Sequence, residues 1–316
     1  MRFFKKQKNA IRNQKADEKK HLPFSSSQLK KRKIIFSILF VLSTLGFTIS
    51  LVSELIDDKK LKQQQIALQK NMEEAIERTE KFDFAGGSVT IAEKEPMGES
   101  KATEETELSL DMLPEYEALY RENDDFIGWL RIEDTVIDYP VMQCKEDENY
   151  YLSYDFYKKE NKNGCLILDN DSQVGRGNKL VNYENGENPS TNLIIHGHMT
   201  KTGQMFGKLI LYKDKEYGLA HNIISFDSLY EKRKYELITV FYSKVFYENE
   251  DVFKYYNFFQ ADTQEEFDDW YQNIKKKALY DTGVKAKFGD EFITLSVCSY
   301  HIQDGRFVVV GKRIYD

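Results

Sequence analysis

Phe292-Ile293-Thr294-Leu295-Ser296-Val297-Cys298, with Arg306-Phe307-Val308-Val309-Val310 beginning eight positions after the cysteine, is the stretch on which the reading of this chain turns. Both runs are short, β-branched and apolar, the signature of strands. With a period of two, Ile293, Leu295 and Val297 share one face, and Thr294, Ser296 and Cys298 share the other. The first face is expected to enter a core, which leaves Cys298 closing its strand on the more polar side. The two runs are expected to pair antiparallel around 299–305, bringing Arg306 beside Cys298 with side chains about 5 Å apart. A guanidinium fixed there can hold a substrate carbonyl or a developing oxyanion. Blander readings stand beside this one: a buried structural thiol for Cys298, and an edge arginine paired with Asp304 or solvent for Arg306.

Working outward, Asn192-Leu193-Ile194-Ile195-His196-Gly197-His198-Met199 is an apolar strand that breaks at Gly197. His198 enters the following loop, where catalytic side chains are often displayed. An imidazole can exchange a proton with a thiol and with a leaving amine near neutral pH. His196 continues the strand and better fits the role of a satisfied packing or surface residue. His221 and His301 have no pattern around them, His21 falls in the basic head, and His301 is close enough to Cys298 in sequence to act as a decoy.

Further candidate strands are Trp129–Ile132, Val136–Met142, Cys165–Asp169, Ile223–Asp227 and Tyr235–Tyr247. Helices are expected at Pro114–Asn123 and Thr263–Lys277, the latter with Phe267, Trp270, Tyr271 and Ile274 on one face. Many strands and few helices argue for a largely antiparallel barrel or sandwich. Residues 172–190 read as a polar loop.

The N-terminal third is different in kind. Residues 1–33 hold twelve Lys/Arg against Asp17 and Glu18, a net of +10 that leaves −17 for the rest of a chain whose total is −7. The head lacks the aromatic interleaving of a nucleic-acid surface. Ile34 to Ser53 carries no charge, and as a helix of about 1.5 Å per residue it spans roughly 30 Å, a bilayer core. The basic flank precedes it and Glu54, Asp57 and Asp58 follow, so the positive-inside rule puts 1–33 in the cytoplasm and 54–316 outside. No A-x-A cleavage pattern follows the span, which favours an uncleaved signal anchor at 34–53. Residues 54–82 are good helix formers with only a patchy apolar stripe (Leu55, Leu61, Ile66, Leu68, Met72, Ile76), a stalk helix. Residues 83–108, with Gly86-Gly87, Pro96 and Gly98, read as a flexible linker. A catalytic domain is expected over 109–316. Three cysteines (Cys144, Cys165, Cys298) in the exported part cannot all pair, and no zinc-type spacing or acidic cluster calls for a metal or cofactor.

Taken in order, Asn192–Met199, Gln204-Met-Phe-Gly207, Thr294-Leu-Ser-Val-Cys298 and Gly305-Arg306-Phe-Val-Val resemble a sortase, class B in particular. Asp125–Ile132 followed by Ile137-Asp-Tyr-Pro-Val141, and Asn149-Tyr-Tyr-Leu152 with Asp155-Phe156, are similar to the opening of the class B domain. The likeness covers about 110–316, and the helix before the cysteine strand also fits it. It departs at His196, where the family often has an aromatic residue. The resemblance implies a closed eight-stranded β-barrel with peripheral helices. It implies Cys298 as nucleophile, His198 as general acid/base and Arg306 as stabiliser of substrate or oxyanion.

The implied activity is that of a membrane-anchored cysteine transpeptidase. It cleaves an LPxTG- or NPxTN-like sorting signal of secreted proteins and passes the Thr carbonyl to an amine of the cell wall or of a pilin lysine. Two rivals are a plain cysteine endopeptidase and a non-catalytic membrane-tethered scaffold. The papain order, Cys before His, is reversed here. The S-H-G-C motif of an L,D-transpeptidase is not matched by Ser296-Val297-Cys298-Ser299.

Overall fold

The computed structural model describes residues 26–84, 112–176 and 188–315. The expected linker at 83–108 lies almost entirely outside these residues, as do the basic head up to residue 25 and most of the 172–190 loop.

Eight strands close into a barrel: β1 (Phe126–Arg131), β2 (Asp138–Met142), β3 (Leu166–Leu168), β4 (Asn192–Gly197), β5 (Ile223–Ser228), β6 (Lys232–Lys244), β7 (Phe292–Cys298) and β8 (Gly305–Ile314). Their order around the barrel is β1-β2-β3-β4-β7-β8-β6-β5, and β5 pairs back onto β1. Two neighbouring pairs run parallel, β2 with β3 and β4 with β7; the others are antiparallel. Closure leaves no free sheet edge.

The interior is filled by alternate residues of the strands. Leu193 and Ile195 of β4, Ile293, Leu295 and Val297 of β7, and Phe307 and Val309 of β8 meet there with Val240 of β6 and Leu166 of β3. Burying each such side chain stabilises by roughly 1.5–3 kcal/mol. The opposite face of β7 is not left to solvent. Thr294 and Ser296 are buried, because the chain between β6 and β7 folds back over that side. This excursion contains a 3-10 turn at Tyr255–Asn257 and helix α4 (Gln264–Lys277), while α3 (Lys215–Ala220) precedes β5. Phe267, Trp270 and Ile274 of α4 pack with Phe292, Val308 and Val310, and Phe258 stacks on Trp270 at 4.3 Å between ring centroids. A capping box at Thr263 and Glu266 starts α4, and three lysines end it.

Among the described residues, two helices precede the barrel strands. Helix α1 runs Ser26–Phe84 and α2 runs Pro114–Glu122. The chain divides after Ile56 into two compact units. The first contains the uncharged stretch of α1, long and apolar enough to cross a membrane. In the second, the part of α1 from Asp57 onward lies against the barrel. Leu61, Leu68 and Met72 are buried, while Ile66 on the other side of the helix is exposed. The expected stalk is helical, and its inward stripe is set by Leu61, Gln64, Gln65, Leu68, Gln69 and Met72 at spacings of three and four. Half of that stripe is glutamine, which is why apolar periodicity alone showed only patches.

Candidate active site

Strand register gathers the three candidate side chains at one end of the barrel. Cys298 and Arg306 are direct partners in the β7–β8 ladder. On the other side of β7, the parallel ladder with β4 ends at Gly197 opposite Val297. One residue further on, His198 leaves β4 level with Cys298. Three adjacent strands therefore deliver His198, Cys298 and Arg306 in one row. Because Val297 and Phe307 point into the barrel, the row faces outward by the alternation of strand side chains. Cys298 is exposed, and His198 and Arg306 are half-buried.

Each member of the row is held locally. The Nε2 of His198 lies 2.9 Å from the carbonyl oxygen of Leu152. A carbonyl oxygen only accepts, so Nε2 carries the hydrogen and Nδ1 is the nitrogen with the free lone pair in the neutral ring. The backbone carbonyl of His198 accepts from the N–H of Phe206 at 3.1 Å, which curls the following loop back under the histidine. Gly197 is needed for that curl: a Cβ there would stand 2.5 Å from the Phe206 ring. Arg306 donates from Nη1 to the carbonyls of Gly305 at 3.0 Å and Asp304 at 3.4 Å. Its guanidinium is tied to its own turn by carbonyls, and no carboxylate is among these acceptors.

Two residues behind Cys298 on the same face, Ser296 Oγ lies 2.7 Å from the hydroxyl of Tyr255. Burial pushes the Tyr255 hydroxyl up to about 12, against the opposing pull of the Ser296 bond and the nearby Arg306 charge. It therefore stays protonated as a neutral hydrogen-bonding group beneath the site. Tyr255 and Arg306 share a cleft of about 540 Å³ with Glu148, Asp169, Asp171, His196, Val245, Tyr256, Asn257 and Phe259. A larger hollow of about 670 Å³ runs along the β6–β7 excursion between Glu248 and Trp270, but none of His198, Cys298 or Arg306 lines it. Of the three candidate residues, Arg306 alone lines the smaller cleft, which opens beside the row rather than around Cys298 and His198.

His196 lies in that cleft rather than in the packed interior, with Nε2 3.1 Å from Asp169 Oδ2. It points outward like His198, as its position two residues earlier on the same strand requires. His301 is turned to other work: its Nδ1 meets Ser299 Oγ at 3.0 Å and its ring lies against Tyr242 at 4.6 Å. Sequence reasoning missed Tyr255, Asp169 and the Leu152 carbonyl. The first two carry no motif, and a backbone carbonyl has no signature of its own.

All three cysteines are free thiols. Burial pushes the Cys165 thiol far up, which makes it inert, whereas Cys298 is the exposed one. Among the described residues, one group of ligand-type atoms converges elsewhere, at Asp125, Cys144 and Glu146. The Asp125 carboxylate is already engaged by the Tyr151 hydroxyl at 2.8 Å and the Lys158 ammonium at 3.2 Å.

Comparison with known proteins agrees with this architecture. No family model matches the chain. Sortase B of Listeria monocytogenes is 32% identical over 212 residues, 66% of this chain and 78% of that protein. Sortase B of Staphylococcus aureus is 26% identical over 205 residues, 64% and 75% of the two chains. Among solved structures, sortase B from Bacillus anthracis in complex with AAEK2 superposes with a TM-score of 0.55 at 27% identity, covering 70% of this chain and 89% of that one. A sortase B complexed with triglycine gives 0.53 at 27% identity, over 64% and 86%. The chain belongs to the class B sortases, a family of transpeptidases built on a closed eight-stranded barrel.

Proposed function

We propose that Cys298, His198 and Arg306 form the catalytic centre of a cysteine transpeptidase that acts on a C-terminal sorting signal of the LPxTG or NPxTN kind. The register supports this reading: β4, β7 and β8 are neighbours, an imidazole, a thiol and a guanidinium stand in one outward row at their ends, and a cleft opens beside Arg306. The Cys298 thiolate attacks the Thr carbonyl carbon of the signal, forming a C–S bond and a tetrahedral oxyanion. Arg306, at the ladder position opposite Cys298, stabilises that charge. The oxyanion collapses, the peptide C–N bond breaks, and His198 gives a proton to the departing amine. A thioester remains. An incoming amine loses its proton to His198 and attacks the thioester, and the thiolate leaves.

The acceptor is an amine of the cell wall or a pilin lysine. Binding of triglycine by a related sortase B supports an oligoglycine-like amine as the first one to try. The uncharged stretch of α1 anchors the enzyme in the cell membrane, with residues 1–33 in the cytoplasm, 54–108 as a stalk helix and linker outside, and 109–316 as the catalytic domain. The anchor holds the site at the surface where substrate and acceptor meet and raises their effective concentration.

The test uses the full chain in detergent with fluorogenic LPxTG-like and NPxTN-like peptides, with and without triglycine. Cleavage that Cys298→Ala abolishes, with the Thr carbonyl recovered on triglycine, is the expected result. Cleavage giving only the free acid would establish a plain endopeptidase. No cleavage and an unreactive Cys298 thiol would leave a tethered scaffold.

A further inference from the structure

We propose that residues 57–72 of α1, the membrane-proximal helix, are a positioning element of the active site that braces His198 from both of the segments holding it. The proposal rests on the catalytic role given to His198 above.

The first brace runs to the ring. Gln64 Nε2 donates to Asp155 Oδ2 at 2.6 Å. The other oxygen of Asp155 accepts the backbone N–H groups of Tyr157 and Lys159, both at 3.0 Å, so the carboxylate pins the turn that follows Leu152. Asp57 accepts from Lys162 at 2.9 Å and Asp58 from Asn163 at 3.4 Å, further along the same segment. That segment returns directly behind the Leu152 carbonyl. Gly164 has φ +53°, and a Cβ on it would fall 2.3 Å from the Tyr151 oxygen and 2.8 Å from the Leu152 oxygen. Leu61, Gln64, Gln65 and Leu68 line a small hollow with Gly164 and Cys165. The carbonyl that fixes the tautomer of His198 is thus backed by a chain segment that α1 clamps.

The second brace runs to the backbone. Gln65 donates to the Asp138 carbonyl at 2.8 Å and Gln69 to the Asp138 carboxylate. The neighbouring Tyr139 hydroxyl accepts from the N–H of Met205 at 3.1 Å and donates to Gln204 Oε1 at 2.9 Å. These bonds hold the loop from His198 to Phe206, whose own N–H closes on the His198 carbonyl. Leu61 packs with Tyr139 and Met205 in the barrel core.

Glutamine on a helix face that buries apolar neighbours is destabilising unless its amide is used. Here three glutamines on one face each donate to the barrel, and all three bonds end on Asp138 or Asp155. A helix serving only as a tether needs none of them.

The experiment compares the full wild-type chain with Gln64→Leu, with Gln64→Leu/Gln69→Leu, and with Lys62→Ala on the exposed side of the helix as control. Leucine keeps the packing and removes the donors. Four quantities are read: kcat and KM of Cys298-dependent peptide cleavage, the thermal midpoint, and the ¹⁵N resonances of the His198 ring. The expected result for the double variant is a fall in kcat of about tenfold, since small misplacements of a catalytic group are costly. KM stays within about twofold, and the His198 ring changes from the Nε2–H tautomer toward a mixture. The control matches wild type. If the double variant unfolds, the single Gln64→Leu variant decides by the same readouts with a smaller change. Unaltered kcat and ring resonances in a folded variant would overturn the proposal. A wild-type chain without Cys298-dependent cleavage would instead overturn the transpeptidase reading, and the ring tautomer would still decide whether the helix positions His198.

Discussion

Arg306 presents its guanidinium from the start of β8, tethered by Nη1 to the carbonyls of Gly305 and Asp304. Those bonds use part of the donor fork, and in the proposed mechanism the rest serves an oxygen of the substrate. Arg306→Lys keeps the charge but removes the planar fork, and an ammonium on a flexible stem cannot serve turn and substrate together. Loss of a single oxyanion donor costs about 10²–10³ in rate, so kcat is expected to fall by that order while the thermal midpoint changes little. Steady-state kinetics on the preferred peptide checks it. Tyr255→Phe probes the layer beneath. It strips Ser296 of its partner in a buried place, with an expected loss of about 1–3 kcal/mol in stability, measurable by denaturant titration. At this scale the cysteine–arginine pair was legible before the structure, because a seven-residue connection between two apolar strands leaves a hairpin as the simplest solution. The histidine was legible only by motif. His198 lies beside Cys298 through a parallel pairing of residues a hundred positions apart in sequence, which no local pattern encodes. The inward-or-outward reading of His196 also needed the barrel: continuing a strand decides the alternation, and only the fold decides which side is the core.

The elements show the same division between local and distant causes. All eight strands fall within a few residues of the runs picked out by β-branched and aromatic composition, and β7 matches to the residue. Helix α4 was legible from its apolar face and its start at Thr263, where side chain and backbone exchange bonds with Glu266. Thr263→Ala removes the cap. The expected cost is about 1 kcal/mol, or about 2–4 °C in thermal midpoint, with catalysis nearly unchanged because no residue of α4 lines the cleft beside Arg306. Calorimetry beside peptide cleavage checks both halves of that expectation. The docked face of α1 was not legible. Hydrophobic periodicity finds a buried face only when the face is apolar, and Gln64, Gln65 and Gln69 hide this one. Its partners, Asp138 and Asp155, are ordinary surface-type residues until the helix covers them.

Over the whole molecule, aromatic packing ties the pieces together, and it gives stability a pH dependence on the alkaline side. The chain has 20 tyrosines, and those that bond the segments to one another are buried or half-buried. Tyr139 joins β2 to the loop after His198, Tyr255 joins the β6–β7 excursion to β7, and Tyr280 donates to the Tyr212 carbonyl at 2.8 Å. Burial raises all three hydroxyls to about 12, and raises those of Tyr116, Tyr151 and Tyr212 further still. In the unfolded chain the same hydroxyls ionise near their ordinary value of about 10. A group with a raised folded pKa contributes its stability in full below the unfolded value and loses it as pH rises through the folded one. Between about 10 and 12 the unfolded chain therefore holds fewer protons than the folded barrel, and stability falls with each step in pH. The expected outcome is a cooperative alkaline transition in which tyrosinate absorbance and loss of barrel circular dichroism appear together, with several hydroxyls ionising in one step. Tyr139→Phe, which removes one such group, should make that transition shallower even though it loosens the His198 loop. Tyrosinate absorbance that climbs smoothly through about 10 with the barrel intact would show that these rings reach solvent in the native state.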